Sequence, residues 1–196
     1  MKLIIASNNA DKVVEMKTIL GRYFDEILSL RDAGIEVDVV ENGAKFMENA
    51  LKKAIAVLEI SDADAVVSDD SGLMVDALDG APGIYSARYA GEGHNDQKNN
   101  EKLLEEMKDI PYEQRDCKFV SAVVIARRNE APVTAIGTVE GRILFELRGE
   151  NGFGYDPLFL YEPLNRTFAE LSAQEKNEVS HRRRALDALC AKLDEE

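Results

Sequence analysis

Tryptophan is absent from the 196-residue sequence, and histidine and cysteine occur twice each, as His94, His181, Cys117 and Cys190. So few soft ligands exclude a thiolate zinc centre, so any metal here is a hard ion held by carboxylates. The two cysteines lie far apart in apolar stretches and read as reduced, buried thiols, the state expected of a cytoplasmic protein. Prolines number only five, and neither a Pro/Gly/Ser linker nor an internal repeat interrupts the chain, so residues 1–196 are expected to form a single domain. No apolar run approaches the ~18 residues of a membrane span, and Met1-Lys2-Leu3-Ile4-Ile5-Ala6 ends too soon for a secretory signal. Basic residues are in deficit: 24 lysines and arginines against 37 acids give a formal charge of −13. Such a surface repels DNA and RNA, whose binding requires basic side chains to replace counterions. A small anion remains possible where basic groups gather locally.

Apolar residues make up 45% of the chain, enough for a true core. Residues 2–6 read as a short buried strand running into Ser7-Asn8-Asn9, which favour a helix N-cap. Val13, Met16, Ile19, Leu20 and Tyr23 then recur at helical spacing. A weak strand is expected over residues 26–30. A second helix is expected from Asn42, with Phe46, Ala50, Ala54, Val57 and Leu58 as its inner stripe. Residues 65–68 read as a strand ending at Asp69-Asp70-Ser71-Gly72. A polar helix is expected near residues 95–108. Two long strands follow over 118–127 and 133–145, the second alternating Val133, Ala135, Val139, Ile143 and Phe145 against polar residues. A glycine-rich loop over 149–154 leads to a short strand near 157–161, and a last helix from about Ser180 buries Leu186, Leu189, Cys190 and Leu193. The sum is an α/β fold with a mixed central sheet flanked by helices, with a second lobe built on the hairpin.

Four segments carry chemistry. The turn Ser7-Asn8-Asn9-Ala10-Asp11-Lys12 offers free amides at a helix start, with Lys12 one turn in, a natural seat for phosphate. Asp69-Asp70-Ser71-Gly72 places two acids at the rim of a sheet, where open α/β folds bind ligands. Successive strand residues point to opposite faces, so one acid serves the site more readily than the other. Carboxylates there suit Mg²⁺, and Glu41, in a polar turn before a helix, is a second candidate ligand. Gly152-Phe153-Gly154-Tyr155-Asp156-Pro157 presents an aromatic face for a flat base. Lys176 with Ser180-His181-Arg182-Arg183-Arg184 is the densest positive cluster. Each segment also has an ordinary reading: a capped helix, turn-capping acids, an inward-packed phenylalanine, a solvated basic patch.

In this order the pieces resemble the inosine triphosphate pyrophosphatase family, also called Ham1-like proteins. The matching segments are Ser7-Asn8-Asn9-Ala10-Asp11-Lys12, Phe46-Met47-Glu48-Asn49-Ala50 with Lys53, Asp69-Asp70-Ser71-Gly72-Leu73, Gly80-Ala81-Pro82-Gly83-Ile84-Tyr85-Ser86-Ala87-Arg88, Gly152-Phe153-Gly154-Tyr155-Asp156-Pro157 and Ser180-His181-Arg182. The resemblance implies Mg²⁺-dependent hydrolysis of ITP, dITP and XTP to monophosphate and pyrophosphate, by a homodimer of two-lobed subunits with the substrate in a cleft. It also implies that Asp70 is the proton acceptor and a magnesium ligand, with Glu41 and Asp69 beside it. Ser7, Asn8, Asn9, Lys12, Lys53 and Ser71 resemble the phosphate-binding groups. Phe153, Gly154, Tyr155, Asp156, Lys176, His181 and Arg182 resemble the base-binding groups. Two positions depart from the pattern: Asn151, where glycine is commoner, and Arg183, in place of the glycine after His-Arg. An enzyme for methylated or pyrimidine nucleotides fits less well, because the Phe-Gly-Tyr-Asp and Ser-His-Arg segments are of purine type. A non-catalytic sensor is expected to have lost an acid, yet Glu41, Asp69 and Asp70 are present; an acidic interaction protein leaves the motifs unexplained.

Overall fold

The computed structural model describes residues 1–195. Its seven-stranded sheet runs in the order β2-β1-β3-β4-β5-β6-β7, formed by Lys2–Ile5 (β1), Glu26–Ser29 (β2), Ala65–Val75 (β3), Asp116–Arg127 (β4), Val133–Ile143 (β5), Phe159–Tyr161 (β6) and Arg166–Thr167 (β7). β1 pairs in parallel with β2 and β3, whereas β6 is antiparallel to β5 and β7. The sheet is therefore mixed, as expected. The helices are Ala10–Leu20 (α1), Phe46–Ile60 (α2), Asp96–Glu106 (α3), Ala173–Val179 (α4) and His181–Leu193 (α5).

The chain forms two compact units, each with its own core. One comprises residues 1–70, 121–137 and the chain from 184 on, as far as it is described, the other residues 71–120 and 138–183. In the first, Leu3, Ile5, Ala65, Val67, Val123 and Ile125 pack against Met16 and Leu20 of α1 and Leu186 and Leu189 of α5. The intervening Ile4, Val66, Val124 and Ala126 pack on the other face, against Ala50, Ala54 and Val57 of α2. Strands covered on both faces need apolar residues at every position, which is why these segments read as unbroken apolar runs. Each fully buried Leu or Ile stabilises the unit by roughly 1.5–3 kcal/mol.

The second unit is centred on Phe119, Phe159 and Phe168, with ring centroids 4.6–5.8 Å apart. Leu103 of α3 and Met107, just past its end, close its core. Arg115, fully buried, donates to the carbonyls of Met107, Ile110, Ile143 and Leu144 at 2.6–3.1 Å. One guanidinium thereby satisfies main-chain acceptors just after α3, where the orphan carbonyls of a helix need donors, and at the end of β5.

Several expected boundaries move. α2 starts at Phe46 rather than at Asn42: the Asn42 side chain accepts from Lys52 Nζ at 2.7 Å instead of capping. β3 does not stop at Ser68 but runs to Val75, carrying Asp69 and Asp70 inside the strand. Phe145 lies beyond the end of β5, exposed, against Tyr112 and the Arg115 guanidinium. α4 was not expected, since its residues lack an apolar period; a capping box between Ser172 and Glu175 starts it. Both cysteines are free and buried.

Candidate active site

In the first unit β1 ends at Ile5, and the chain turns through residues 6–9 into α1. Asn9 is the N-cap: its Oδ1 accepts from the Lys12 amide at 3.1 Å, while its own N–H donates to Ser7 Oγ at 3.2 Å. β1 pairs with β3 only as far as Val67, so Asp69 and Asp70 extend just past the carboxyl end of the parallel pair. That is the edge at which open α/β sheets gather ligands.

Alternation along β3 then parts the two acids. Asp69, 1% exposed, receives Lys12 Nζ of α1 on its Oδ2 at 2.9 Å. Asp70, 8% exposed, turns to the α2 side, where Asn49 Nδ2 donates to its Oδ2 at 3.0 Å. Asn49 is itself completely buried, and its Oδ1 accepts from the Gly43 amide at 2.7 Å. A Cβ at Gly43 would lie 2.6 Å from that Oδ1, so only glycine lets the main chain approach the amide so closely. One turn along α2, Lys53 Nζ lies 3.2 Å from Glu41 Oε1. Burial pushes the Asp70 carboxyl above the ordinary carboxylate value, opposed by Lys53, Asn49 and Lys12, while the Glu41 charge adds to the rise.

This cluster holds two carboxylates in electrostatic reach of each other, Glu41 and Asp70, with ammonium groups around them. Hard oxygen donors of this kind suit Mg²⁺, which takes one or two protein carboxylates and completes its shell with water and phosphate oxygens. Among the described residues no group of three or more His, Cys, Asp or Glu side chains could cage an ion alone. The residues present fit a metal that arrives with, or is completed by, a phosphate ligand.

In the second unit Asp156 is buried and accepts on one oxygen, Oδ2, from both the Phe153 amide, at 2.9 Å, and Lys176 Nζ. Burial pushes the Asp156 carboxyl up; Lys176, the Phe153 amide and Arg182 act against it. The Lys176 ammonium also lies 4.4 Å from the centroid of the Phe153 ring, which is 38% exposed. Tyr155 turns inward and donates its hydroxyl to the Ser86 carbonyl at 2.8 Å. Ser180 ends α4 and opens α5, its Oγ accepting from the Arg183 amide at 3.0 Å. His181 and Arg182 follow, both buried, with the His181 ring stacked on Phe119 at 4.8 Å.

Thus Lys12, Glu41, Lys53, Asp69 and Asp70 come together in the first unit, with Asn8 exposed and Ser7 part-buried in the turn before α1. Ser71 follows Asp70 in β3 and is part-exposed. Phe153, Asp156, Lys176 and Arg182 come together in the second. Asn151 is readily accommodated: its Nδ2 donates to the Leu171 carbonyl at 3.0 Å. Arg183 is part-buried in the first turn of α5. Asn49 was missed as a site residue. The available signal was a carboxamide on the apolar stripe of a helix, one position before Ala50, where a polar group demands partners.

The profile described as "Ham1 family" matches residues 3–192. Curated relatives named dITP/XTP pyrophosphatase include one from Clostridium perfringens, 51% identical over 96% of this chain and 95% of its own length. Another, from Haemophilus influenzae, is 49% identical over 98% of each. Among solved structures, the Staphylococcus aureus Ham1 protein superposes with a TM-score of 0.90 at 40% identity, over 99% of this chain and 98% of that one. A Mycobacterium abscessus nucleoside-triphosphatase, also titled dITP/XTP pyrophosphatase, gives 0.80 at 43% identity over 96% and 98%.

Proposed function

The chain belongs to the Ham1 family, and from that premise we propose that it hydrolyses dITP, XTP and ITP to the monophosphate and pyrophosphate, clearing non-standard purines from the nucleotide pool. The observation that carries this reading is Asp70: a buried carboxylate held by one amide, among two lysines and a second acid, just beyond a parallel strand pair. In this reading Asp70 orients the attacking water and accepts its proton as oxygen bonds to phosphorus and pyrophosphate leaves. Lys12, Lys53 and Ser71 take the triphosphate, and Ser7, Asn8 and Asn9 add donors at the start of α1. Asp70 and Glu41 would hold Mg²⁺, while Asp69, on the other side of β3, tethers Lys12 rather than completing the ligand set. When bound, the ion neutralises the phosphates and polarises their oxygens.

The purine is read by hydrogen-bond polarity. Hypoxanthine and xanthine carry a 6-oxo acceptor where adenine carries a 6-amino donor. Lys176, His181 and Arg182 supply donors, and an adenine facing them leaves donors unpaired, a mismatch worth up to about 10⁴-fold. Phe153 offers a stacking face, framed by Gly154, Tyr155 and Asp156. The same reading takes residues 1–196 as one catalytic domain, working as a homodimer in the cytoplasm; light scattering tests the dimer. No helix among the described residues is long and apolar enough to cross a membrane.

The test is pyrophosphate release from dITP, XTP, ITP, GTP and ATP, each with and without Mg²⁺. The expected result is strong preference for the first three and loss of turnover without the ion. Preference for ATP or a pyrimidine triphosphate overturns the reading.

A further inference from the structure

Asp96 and Asn100 lie four residues apart on α3, hence on one helix face. Neither serves as the helix cap, a role filled by Asn95, whose Oδ1 accepts from the Lys98 amide at 2.9 Å. Both reach instead to Gly154. The Gly154 N–H donates to Asp96 Oδ2 at 2.7 Å, and its carbonyl accepts from Asn100 Nδ2 at 2.8 Å. The same Asn100 nitrogen donates to the Asp96 carbonyl at 2.9 Å. The orientation of this buried amide is therefore determined, since a reversed one would set oxygen against two carbonyl oxygens.

The clamp grips a residue in the left-handed region, with Gly154 at φ 61°. Phe153, immediately before it, has its own N–H bound by Asp156. The main chain is thus fixed at the amides on both sides of the Phe153 Cα, and its half-exposed ring leaves that backbone in one direction, beneath the Lys176 ammonium. Without such ties, an aromatic between two glycines would sample many orientations.

We infer that Asp96 and Asn100 are positioning residues that pre-orient Phe153 as the stacking face for the purine. The inference rests on the base-reading role proposed above, and it makes the two side chains determinants of base affinity rather than of the phosphoryl step. A ligand's apparent dissociation constant rises by the reciprocal of the fraction of protein already in the competent form. If loss of one tie leaves roughly a tenth to a third of the loops competent, affinity weakens about threefold to tenfold.

Asp96 is exposed, so Asp96→Ala tests the tie without touching the core. The expected result is a KM for dITP raised by about threefold to tenfold with kcat nearly unchanged, the signature of lost uniform binding. Inhibition by inorganic triphosphate, which has no base, stays as in the wild type. Asp96→Asn keeps an acceptor oxygen and restores the KM. Amide hydrogen exchange at Gly154 gives a readout independent of turnover: slow in the wild type and Asp96→Asn, fast in Asp96→Ala. An unchanged KM in Asp96→Ala overturns the inference, as does a parallel shift in triphosphate inhibition or a fast-exchanging Gly154 in the wild type. Wild-type protein inactive on every purine triphosphate overturns the parent reading instead, while the exchange data still judge the clamp.

Discussion

Replacing Asn49 by leucine, branched alike at Cγ but bulkier and without polar atoms, removes the link between the Gly43 amide and the Asp70 carboxylate. The buried Gly43 N–H then lacks its 2.7 Å acceptor, at a cost of about 1–3 kcal/mol. Asp70 loses a donor to a charged acceptor, worth about 1.5–3 kcal/mol. Together these predict a loss of roughly 2.5–6 kcal/mol, a large share of the 5–15 kcal/mol typical of a folded protein. At ordinary denaturant sensitivities the urea midpoint falls by on the order of 1–2 M. Pyrophosphate release falls by about 10–100-fold, the usual cost of losing a group that orients a metal-binding or catalytic side chain. Since Asn49 is one of the groups holding the Asp70 carboxyl down against burial, the acid limb of the rate profile moves to higher pH. Gly43→Ala attacks the same link from the other end, its Cβ meeting Asn49 Oδ1 at 2.6 Å. The two changes should be markedly non-additive in a double-mutant cycle. A midpoint for Asn49→Leu within about 0.3 M of the wild type, or strict additivity with Gly43→Ala, refutes the reasoning.

Asp70→Asn is expected to abolish hydrolysis while leaving dITP binding measurable by calorimetry; turnover near the wild-type level removes Asp70 as the base. Arg182→Ala is expected to narrow the preference for ITP over ATP, measured as a ratio of kcat/KM, and an unchanged ratio moves base reading elsewhere. Glu175 supplies a pH signature of stability: the Arg166 guanidinium and the Ser172 amide hold its carboxyl down to about 2, against 4.5 unperturbed. A depressed folded value means the contribution is complete above pH 4.5 and fades as pH falls towards 2. Urea midpoints of the wild type and Glu175→Gln should therefore differ at neutral pH and converge in acid; a constant gap contradicts the assignment.

The elements that a sequence announces are those whose burial repeats with a period. The short apolar runs within β1, β3 and β4, such as residues 65–67 and 122–126, and the alternation in β5 come from packing on two faces and on one, respectively, so they are visible residue by residue. Asp69 and Asp70 look like a strand end because acids are rare inside strands; in fact β3 continues and each acid meets a partner from a different helix. That kind of pairing links positions 57 and 21 residues apart, and no local pattern encodes it. The same holds for the grip of Asn100 on Gly154, 54 residues away. Asn49 lies in one of the family-like segments, yet its role shows only when both ends of its amide are seen at work. α4 was missed by looking for apolar spacing, although Ser172 and Glu175 already spelled a helix start.

The environment of Arg115 has a bearing on how the second unit withstands harsh conditions. Carbonyl oxygens take up no protons in any pH range a protein meets, and guanidinium stays charged throughout. A knot of one cation with four such oxygens, closed off from water, is therefore indifferent to acidification and nearly so to added salt. As surface ion pairs such as Arg166 with Glu175 let go in acid, this inner rivet should be among the last features to yield.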